Sequence, residues 1–200
     1  MKSTDYSAGL MSQSSWFLEL KKLVQLRKQG VEAEEIKRRC LEDNLFGMAT
    51  ENRVKRAYGY LIKRLDSMDD TLVDLFCSSD LSTQKLINLI TVLNEDRLFF
   101  EFVNEVYREK IILGYQVIET SDANTFFRDK ATDSEDLQKW KDTTIKKLKC
   151  CYFNFMEDAN LLYKDKSKHI ITPPIVDIAL ERYMQYNNLE HILKAITGVR

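Results

Sequence analysis

Apolar residues recur every three or four positions along most of the chain, which is the spacing of amphipathic helices. This pattern predicts helices over about 12–29, 32–43, 50–68, 70–77, 82–94, 95–113, 122–131, 134–140, 143–156, 173–187 and 189–197. Pro173 and Pro174 are the only prolines, so the strongest helix breaker is absent from most of the chain. We therefore predict an all-α fold, a compact multi-helix globular protein.

One segment departs from the helical period. The stretch LLYKDKSKHIIT, residues 161–172, alternates and contains turn-forming residues, which favours a small β-hairpin or wing. Lys164, Lys166 and Lys168 occupy alternate positions in it.

The predicted helix over TENRVKRAYGYLIKRLDSM, residues 50–68, has two distinct faces. Its apolar residues fall on one side, whereas a cationic stripe that includes Tyr60 lies opposite. The basic residues of this helix are Arg53, Lys55, Arg56, Lys63 and Arg64, with Lys55 at the margin of the stripe. A helix, a turn containing Gly47 and this basic helix follow the plan of a helix-turn-helix.

The last third of the chain repeats this arrangement. Ser134 is placed to start a short helix, and the helix TTIKKLKCCYFNFM follows, with Thr143, Lys146 and Lys147 on its polar face. With the lysine-bearing hairpin, residues 134–172 form a second, winged helix-turn-helix-like element. We predict an N-terminal helical subdomain over 1–68 and a C-terminal helical subdomain over 69–200.

Charge is segregated although the net charge is only -1. Residues 1–66 carry 13 basic and 9 acidic side chains, a net of +4. Residues 67–136 carry 6 and 15, a net of -9, and residues 137–200 carry 11 and 7, a net of +4. This distribution indicates local charged surfaces that could each meet a different partner.

The sequence offers little support for catalysis. Phosphate-binding loops, dinucleotide fingerprints, hydrolase elbows and zinc-protease motifs are absent, so we expect no cofactor and no enzymatic activity. Two E-x-K triplets lie in predicted helices rather than on a strand, and Glu105 with Glu109 is a common pair on an exposed helix face. His169 and His191 have no partners at metal-ligand spacing.

The remaining bulk features indicate a cytoplasmic protein. No apolar run approaches the roughly 20 residues of a membrane helix, and no secretory signal is visible. Cys40, Cys77, Cys150 and Cys151 form no C-x-x-C pair, so we interpret them as reduced, mostly buried thiols.

Three segments together resemble one known family. They are ENRVKRAYGYLIKRL at 51–65, DLQKWKDTTIKKLKCCYFNFMEDANLL at 136–162 and TPPIVDIALERYM at 172–184. Their order and spacing resemble BrxA, the small helical component of bacteriophage exclusion (BREX) defence systems. Asn160 stands where we expect glycine, and asparagine tolerates the left-handed conformation of such a turn.

The resemblance implies a non-enzymatic protein that binds double-stranded DNA beside other BREX components. It extends the candidate DNA contacts to the second helical segment. The full predicted set is Arg53, Lys55, Arg56, Lys63, Arg64, Lys141, Thr144, Lys146, Lys147, Lys164, Lys166 and Lys168.

Two alternatives to DNA binding stay open. The first is a protein-interaction adaptor, in which the acidic middle with Asp96, Glu101, Glu105 and Glu109 docks a basic defence partner. The second alternative is an enzyme, and it is the less supported of the two because the sequence contains no catalytic motif.

Overall fold

A computed structural model describes residues 6–166 and 168–199, and helices dominate this part of the chain. A 3-10 turn spans Gly9–Ser12. The helices are α1 Phe17–Lys28, α2 Ala33–Leu41, α3 Glu51–Asp66, α4 Asp70–Ser78, α5 Leu81–Glu95, α6 Arg97–Phe102, α7 Arg108–Ile112, α8 Thr120–Asp133, α9 Glu135–Gln138, α10 Asp142–Asp158, α11 Ile178–Tyr186 and α12 Glu190–Thr197. Between α6 and α7 lies a π-helical turn, Val103–Tyr107. The predicted helical class is confirmed.

The strands are β1 Val117–Ile118, β2 Leu162–Asp165 and β3 Lys168–Ile171. They form one antiparallel sheet in the order β1–β3–β2. The predicted hairpin is therefore present, but it has a third strand that the sequence did not reveal. Two residues are too few for the alternation that identifies a strand.

Two compact units make up the chain. One contains Ser15–Thr91, with α1 to α4 and most of α5. The other contains Met1–Ser14 and Val92–Arg200, with the later helices and the sheet. The first unit thus extends beyond residue 68, where the sequence suggested a subdomain boundary.

The core of the Ser15–Thr91 unit is built on the apolar face of α3. Val54, Ala57 and Leu61 are buried there, and α3 packs against α1 and α2. Thr50 caps the helix, since its side chain accepts a hydrogen bond from the Arg53 amide. The Arg27 Nη1 donates to the Leu65 carbonyl at the other end, at 2.9 Å. The predicted core face of α3 is confirmed.

The other unit contains a cluster of aromatic rings around α10. The Tyr152 ring is fully buried and stacks on Phe99, with centroids 4.5 Å apart, and on Phe127. Phe102 contacts the same tyrosine and also Phe126. These contacts fix one side of α10 in the core and leave its polar side available.

Three helix starts differ from the predictions. The chain enters α1 at Phe17 rather than near Ser12, after a left-handed Trp16 with φ of 45°. Helix α8 begins at Thr120, with Glu119 as its N-cap, rather than near residue 122. The proline-rich segment stays extended, and α11 begins only at Ile178, where the Asp177 carboxylate accepts from the amides of Ala179 and Leu180. The start of α11 is therefore set by the carboxylate N-cap Asp177 and not by the prolines that precede it.

Candidate nucleic-acid interface

The cationic stripe on α3 is exposed over most of its length. Arg53, Lys55, Arg56 and Lys63 all have exposed side chains, and Lys55 lies 3.3 Å from Glu51 in an i,i+4 pair. Exposed pairs of this kind contribute little to stability. The stripe therefore offers several cations to a partner.

Arg64 does not belong to this exposed stripe, and its predicted exposure is wrong. Its side chain is only 1% exposed. Its Nη1 donates to the Ser15 carbonyl at 2.7 Å and to Asn88 Oδ1 at 3.2 Å. A guanidinium that leaves water needs such acceptors, so Arg64 holds the entry to α1 against α5.

Tyr60 is also occupied within its unit. Its ring stacks on Trp16, with centroids 6.2 Å apart and an interplanar angle of 26°. Tyr60 belongs to the predicted cationic stripe, yet its aromatic neighbour is Trp16. This pair explains the half-buried state of both rings.

The connection between α2 and α3 is longer than the short turn that was predicted. It contains the nine residues 42–50. Asn44 and Gly47 have positive φ, and the Asn44 side chain both accepts from the Met48 amide and donates to its carbonyl. Phe46 is buried in the same loop. The loop is therefore ordered by its own contacts, although it exceeds the three or four residues of a compact helix-turn-helix.

The connection between α9 and α10 has the expected short length. Ser134 caps α9, accepting from the Leu137 amide at 3.4 Å, and only residues 139–141 separate the two helices. Asp142 lies in the first turn of α10, after Lys141 at the N-cap position. An acidic residue there still favours the helix dipole.

The predicted residues of α10 divide into exposed and half-buried positions. Lys141, Lys146 and Lys147 are exposed. Thr144 is half-buried, in agreement with its position off the polar stripe. The three lysines are therefore the cations that the beginning of α10 presents to solvent.

The hairpin lysines occupy both strands and the turn between them. Lys164 lies opposite His169, and Asp165 lies opposite Lys168 in the register of β2 and β3. Lys166 is in the turn, with φ of 54°. All three lysines are exposed.

His169 connects the hairpin to α10. Its Nδ1 lies 2.8 Å from Glu157 Oε1, and its ring stacks on Phe153 with centroids 3.9 Å apart and planes within 3°. The strand β3 is therefore held against the last turns of α10. His169 therefore lies on the predicted wing, in β3.

A groove of about 550 Å³ lies between α10, the beginning of α8 and the hairpin. Its polar lining contains Thr120, Asn124, Asp142, Lys146, Lys149, Asn154, Lys164 and His169, and its apolar lining contains Ile145, Cys150 and Phe153. The Lys149 Nζ donates to Asn124 Oδ1 at 2.6 Å. Sequence reasoning missed Lys149 and Asn124, although Lys149 follows Lys146 at the i+3 spacing of one helix face.

The acidic residues proposed for an adaptor are partly used inside their own unit. Glu101 accepts from Tyr6, Arg97 and Lys130, all within 2.8 Å. Burial raises the pKa of Glu101, but hydrogen bonds from Lys130 and Arg97 outweigh it and lower the pKa overall. Burial raises the pKa of Asp96 to about 6 while its carboxylate caps α6. Glu105 and Glu109 are the exposed members of the set.

The cysteines and possible metal ligands give no catalytic centre in the described ranges. Cys40 is buried, whereas Cys77 and Cys150 are exposed, so the prediction of mostly buried thiols is wrong. Burial raises the pKa of Cys40 to about 11, which makes it a poor nucleophile. Within residues 6–166 and 168–199, no group of His, Cys, Asp and Glu side chains has the arrangement of a metal site.

The same described part of the chain contains no helix with the length and apolar character needed to cross a membrane.

Asn160, where glycine was expected, has φ of 60°. The turn after α10 is thus left-handed, as predicted.

Comparisons with known proteins bear on the family and the fold of this chain. The family model of BrxA matches residues 4–188. The BREX protein BrxA of Bacillus cereus (strain H3081.97) is 32% identical over 185 residues, which cover 92% of each chain. A crystal structure of an uncharacterized protein from Magnetospirillum magneticum has the same fold, with a TM-score of 0.82 and 15% identity over 97% of this chain and 99% of that one. The chain therefore belongs to the BrxA family.

Proposed function

We propose that this chain is a non-enzymatic, cytoplasmic accessory protein of a BREX phage-defence system that binds duplex DNA through its phosphate backbone. The similar protein of Bacillus cereus is named a BREX protein, and the match covers nearly all of both chains. Other BREX components and double-stranded DNA are the partners that we propose.

The observation that carries the proposal is the cationic surface formed by α10 and the hairpin. Its exposed lysines are Lys141, Lys146, Lys147, Lys164, Lys166 and Lys168. They belong to one compact unit, and the contact between His169 and Glu157 holds the hairpin to the helix. A helix with an adjacent basic hairpin can contact phosphates on both sides of a groove.

The chemistry of these side chains favours backbone contacts over base recognition. A lysine ammonium is a compact point charge, whereas bidentate recognition of guanine relies mainly on the planar fork of arginine. The exposed cations that we assign to the surface on α10 and the hairpin are all lysines, so we propose little sequence preference. Arg53, Lys55, Arg56 and Lys63 on α3 supply a second surface that can bind DNA in the same way.

The order of the elements supports a winged helix-turn-helix in this unit. Helix α9, a three-residue connection and α10 are followed by the hairpin of β2 and β3. Strand β1 precedes α8 and completes the sheet by pairing with β3. In this arrangement α10 is the helix that enters or lies along the major groove, and the hairpin is the wing.

The test is fluorescence anisotropy with labelled duplexes of unrelated sequence over a series of salt concentrations. If the six lysines each contact a phosphate, affinity falls about a thousandfold between 50 and 200 mM salt. Similar affinities for all duplexes support backbone binding. No binding at the lowest salt concentration contradicts the proposal.

One specific observation favours protein docking as a second function. A groove of about 400 Å³ lies between the end of the α6–α7 helical stretch and α8. Its charged lining consists of Glu105, Glu109, Asp122, Asp129 and Asp133, with Lys110 and Lys130. Five acidic and two basic residues give a net charge of -3, which suits a basic segment of another BREX component.

The docking function has its own test. Glu109→Lys should reduce recovery of the BREX partner when this chain is purified with the other components of its system. Glu181→Lys, in α11, is the matched control because it reverses the same charge elsewhere in the unit. Equal recovery with both variants contradicts docking at this groove, whatever the result for DNA.

A further inference from the structure

The groove between α10 and the hairpin has the size of a small-ligand site. Its volume of about 550 Å³ is within the range of roughly 300–1,000 Å³ that such sites occupy. One continuous face of α10 forms its floor, from Asp142 to Asn154. A backbone-binding surface needs only exposed cations, so the concavity requires a separate explanation.

Two stacked rings form part of the groove wall. Phe153 and His169 both line the groove, and their planes are within 3° of parallel. Glu157 fixes the imidazole through its contact with Nδ1. Ile145 adds an aliphatic surface. A flat ligand with a π face suits such a wall.

The rim of the groove is positively charged. Lys146, Lys149 and Lys164 line it, and Asp142 is the one acidic residue among the residues that line it. The formal charge is therefore +2 with His169 neutral. The groove beside α8, in the same unit, has a charge of -3 from its own lining residues. The two grooves consequently select ligands of opposite charge.

Two amides add hydrogen-bonding capacity. Asn124 and Asn154 both line the groove, and each amide can donate and accept at once. Asn124 already accepts from Lys149, which leaves its amide hydrogens for a ligand. An aromatic wall, amides and a cationic rim together match a nucleotide, which has a flat base with polar edges and an anionic phosphate.

We infer that this groove holds one unpaired nucleotide of a DNA strand, with its base against His169, which stacks on Phe153, and its phosphates at the lysines of the rim. A strand fits better than a free nucleotide because the positive charge continues beyond the groove. Lys141, Lys147, Lys166 and Lys168 are exposed and do not line it. The inference rests on the proposed DNA binding. It specifies that the groove recognises a nucleotide that has left the base stack.

The first experiment compares two labelled duplexes that differ only in one unpaired nucleotide at the centre. Stacking of one base predicts at least about fivefold tighter binding of the duplex with the unpaired nucleotide. Equal affinities overturn the inference but leave the proposed duplex binding intact. Absence of binding to both duplexes overturns both proposals.

The chain contains an internal probe of the groove. Cys150 is exposed and lines it, whereas Cys77 is exposed on α4 in the other unit. Alkylation by iodoacetamide, followed by mass spectrometry, measures the labelling rate of each thiol. With both DNAs at saturation, the duplex with the unpaired nucleotide should slow labelling of Cys150 several-fold more than the paired duplex. Labelling of Cys77 should respond equally to both. Equal rates at Cys150 contradict the inference.

A pair of variants separates stacking from support of the hairpin. His169→Ala removes the ring and the contact with Glu157, whereas His169→Phe removes the contact but keeps an aromatic ring. We expect His169→Ala to lose the preference for the unpaired nucleotide and His169→Phe to keep most of it. Loss of the preference in both variants, or in neither, contradicts stacking on this wall.

A last experiment tests whether the groove holds a nucleotide of a DNA strand rather than a free nucleotide. Deoxyadenosine monophosphate is added at the concentration at which the duplex with the unpaired nucleotide saturates the protein. At this concentration the mononucleotide should not protect Cys150 from alkylation. Equal protection by the mononucleotide overturns the strand and assigns the groove to a free nucleotide.

Discussion

The helices α3 and α10 carry similar basic patterns, yet their surroundings differ. α3 follows a nine-residue loop, and its exposed cations lie along one helix face. α10 follows a three-residue connection, and a hairpin anchored by His169 adds further cations beside it. The same local pattern therefore produces a single stripe in one unit and a concave, two-sided surface in the other. Neighbouring elements, rather than the helix itself, determine which surface results.

The largest effect is expected at the one predicted contact that is buried. Arg64→Met should lower the free energy of unfolding by about 3 kcal/mol, because Ser15 and Asn88 lose a charged donor. Arg53→Met, on the exposed part of the same helix, should change it by less than about 0.5 kcal/mol. Urea unfolding of the two variants measures both values. Similar losses would contradict the division of α3 into structural and exposed arginines.

The second prediction compares how the free energy of unfolding depends on pH through Asp96, in the unit of α10, and through Arg64, in the other unit. Burial raises the pKa of Asp96 from 3.8 to about 6, so the folded state binds this proton more tightly than the unfolded state. Stability should fall by about 2 kcal/mol as the pH rises from 4.5 to 7. Arg64 contributes no slope in this range because arginine stays protonated.

Asp96→Asn is the variant that checks this slope. Its amide oxygen can still accept from the Phe99 amide and cap α6, but it does not ionise. The free energy of unfolding, followed by urea titration at several pH values, should lose most of the Asp96 slope. The pKa of Glu101 is lowered instead, so its contribution to the slope has the opposite sign. An unchanged slope would show that Asp96 is ionised in the folded protein.

The sequence identifies the face of a helix better than it identifies the fate of one residue on its border. Helical spacing placed the core face of α3 and the exposed Arg53, Arg56 and Lys63 correctly. It also placed Arg64 on the stripe, because Ser15 and Asn88 are far from Arg64 in sequence and become acceptors only through tertiary packing. Local periodicity contains no information about such partners.

The groove shows the same limit. Lys146 is recognisable from the pattern of α10, but the contribution of Lys164 and His169 depends on the register of β2 and β3. In that register His169 contacts Phe153 and Glu157, which are distant from the hairpin turn along the chain. A wing was therefore predictable, whereas the cavity beneath it was not.

The third prediction asks which basic helix contributes more to DNA binding. Lys146→Glu/Lys147→Glu should lower duplex affinity at least about tenfold and reduce the salt slope by about 2. Arg53→Glu/Arg56→Glu should have a smaller effect, since α3 lacks an adjacent wing. Lys37→Glu on α2 and Arg182→Glu on α11 are the controls for the two units, and each reverses a single charge outside the two surfaces. Anisotropy at several salt concentrations measures all four. A larger loss in the α3 variant would reverse the order of the two surfaces.

The smallest expected effect is on duplex affinity, when one acidic residue is removed beside each basic surface. These residues are Glu157, which contacts the hairpin, and Glu51, which lies beside the stripe on α3. Glu157→Ala should weaken duplex binding about threefold, because His169 then contacts α10 only through Phe153 and the wing lysines are positioned less firmly. Glu51→Ala should strengthen binding slightly, because it removes a negative charge beside Lys55 on an already exposed helix. Anisotropy at low salt resolves the two directions. If both variants bind more tightly, the acid at the wing acts only through its charge, and the contact between Glu157 and His169 does not position the DNA-binding surface.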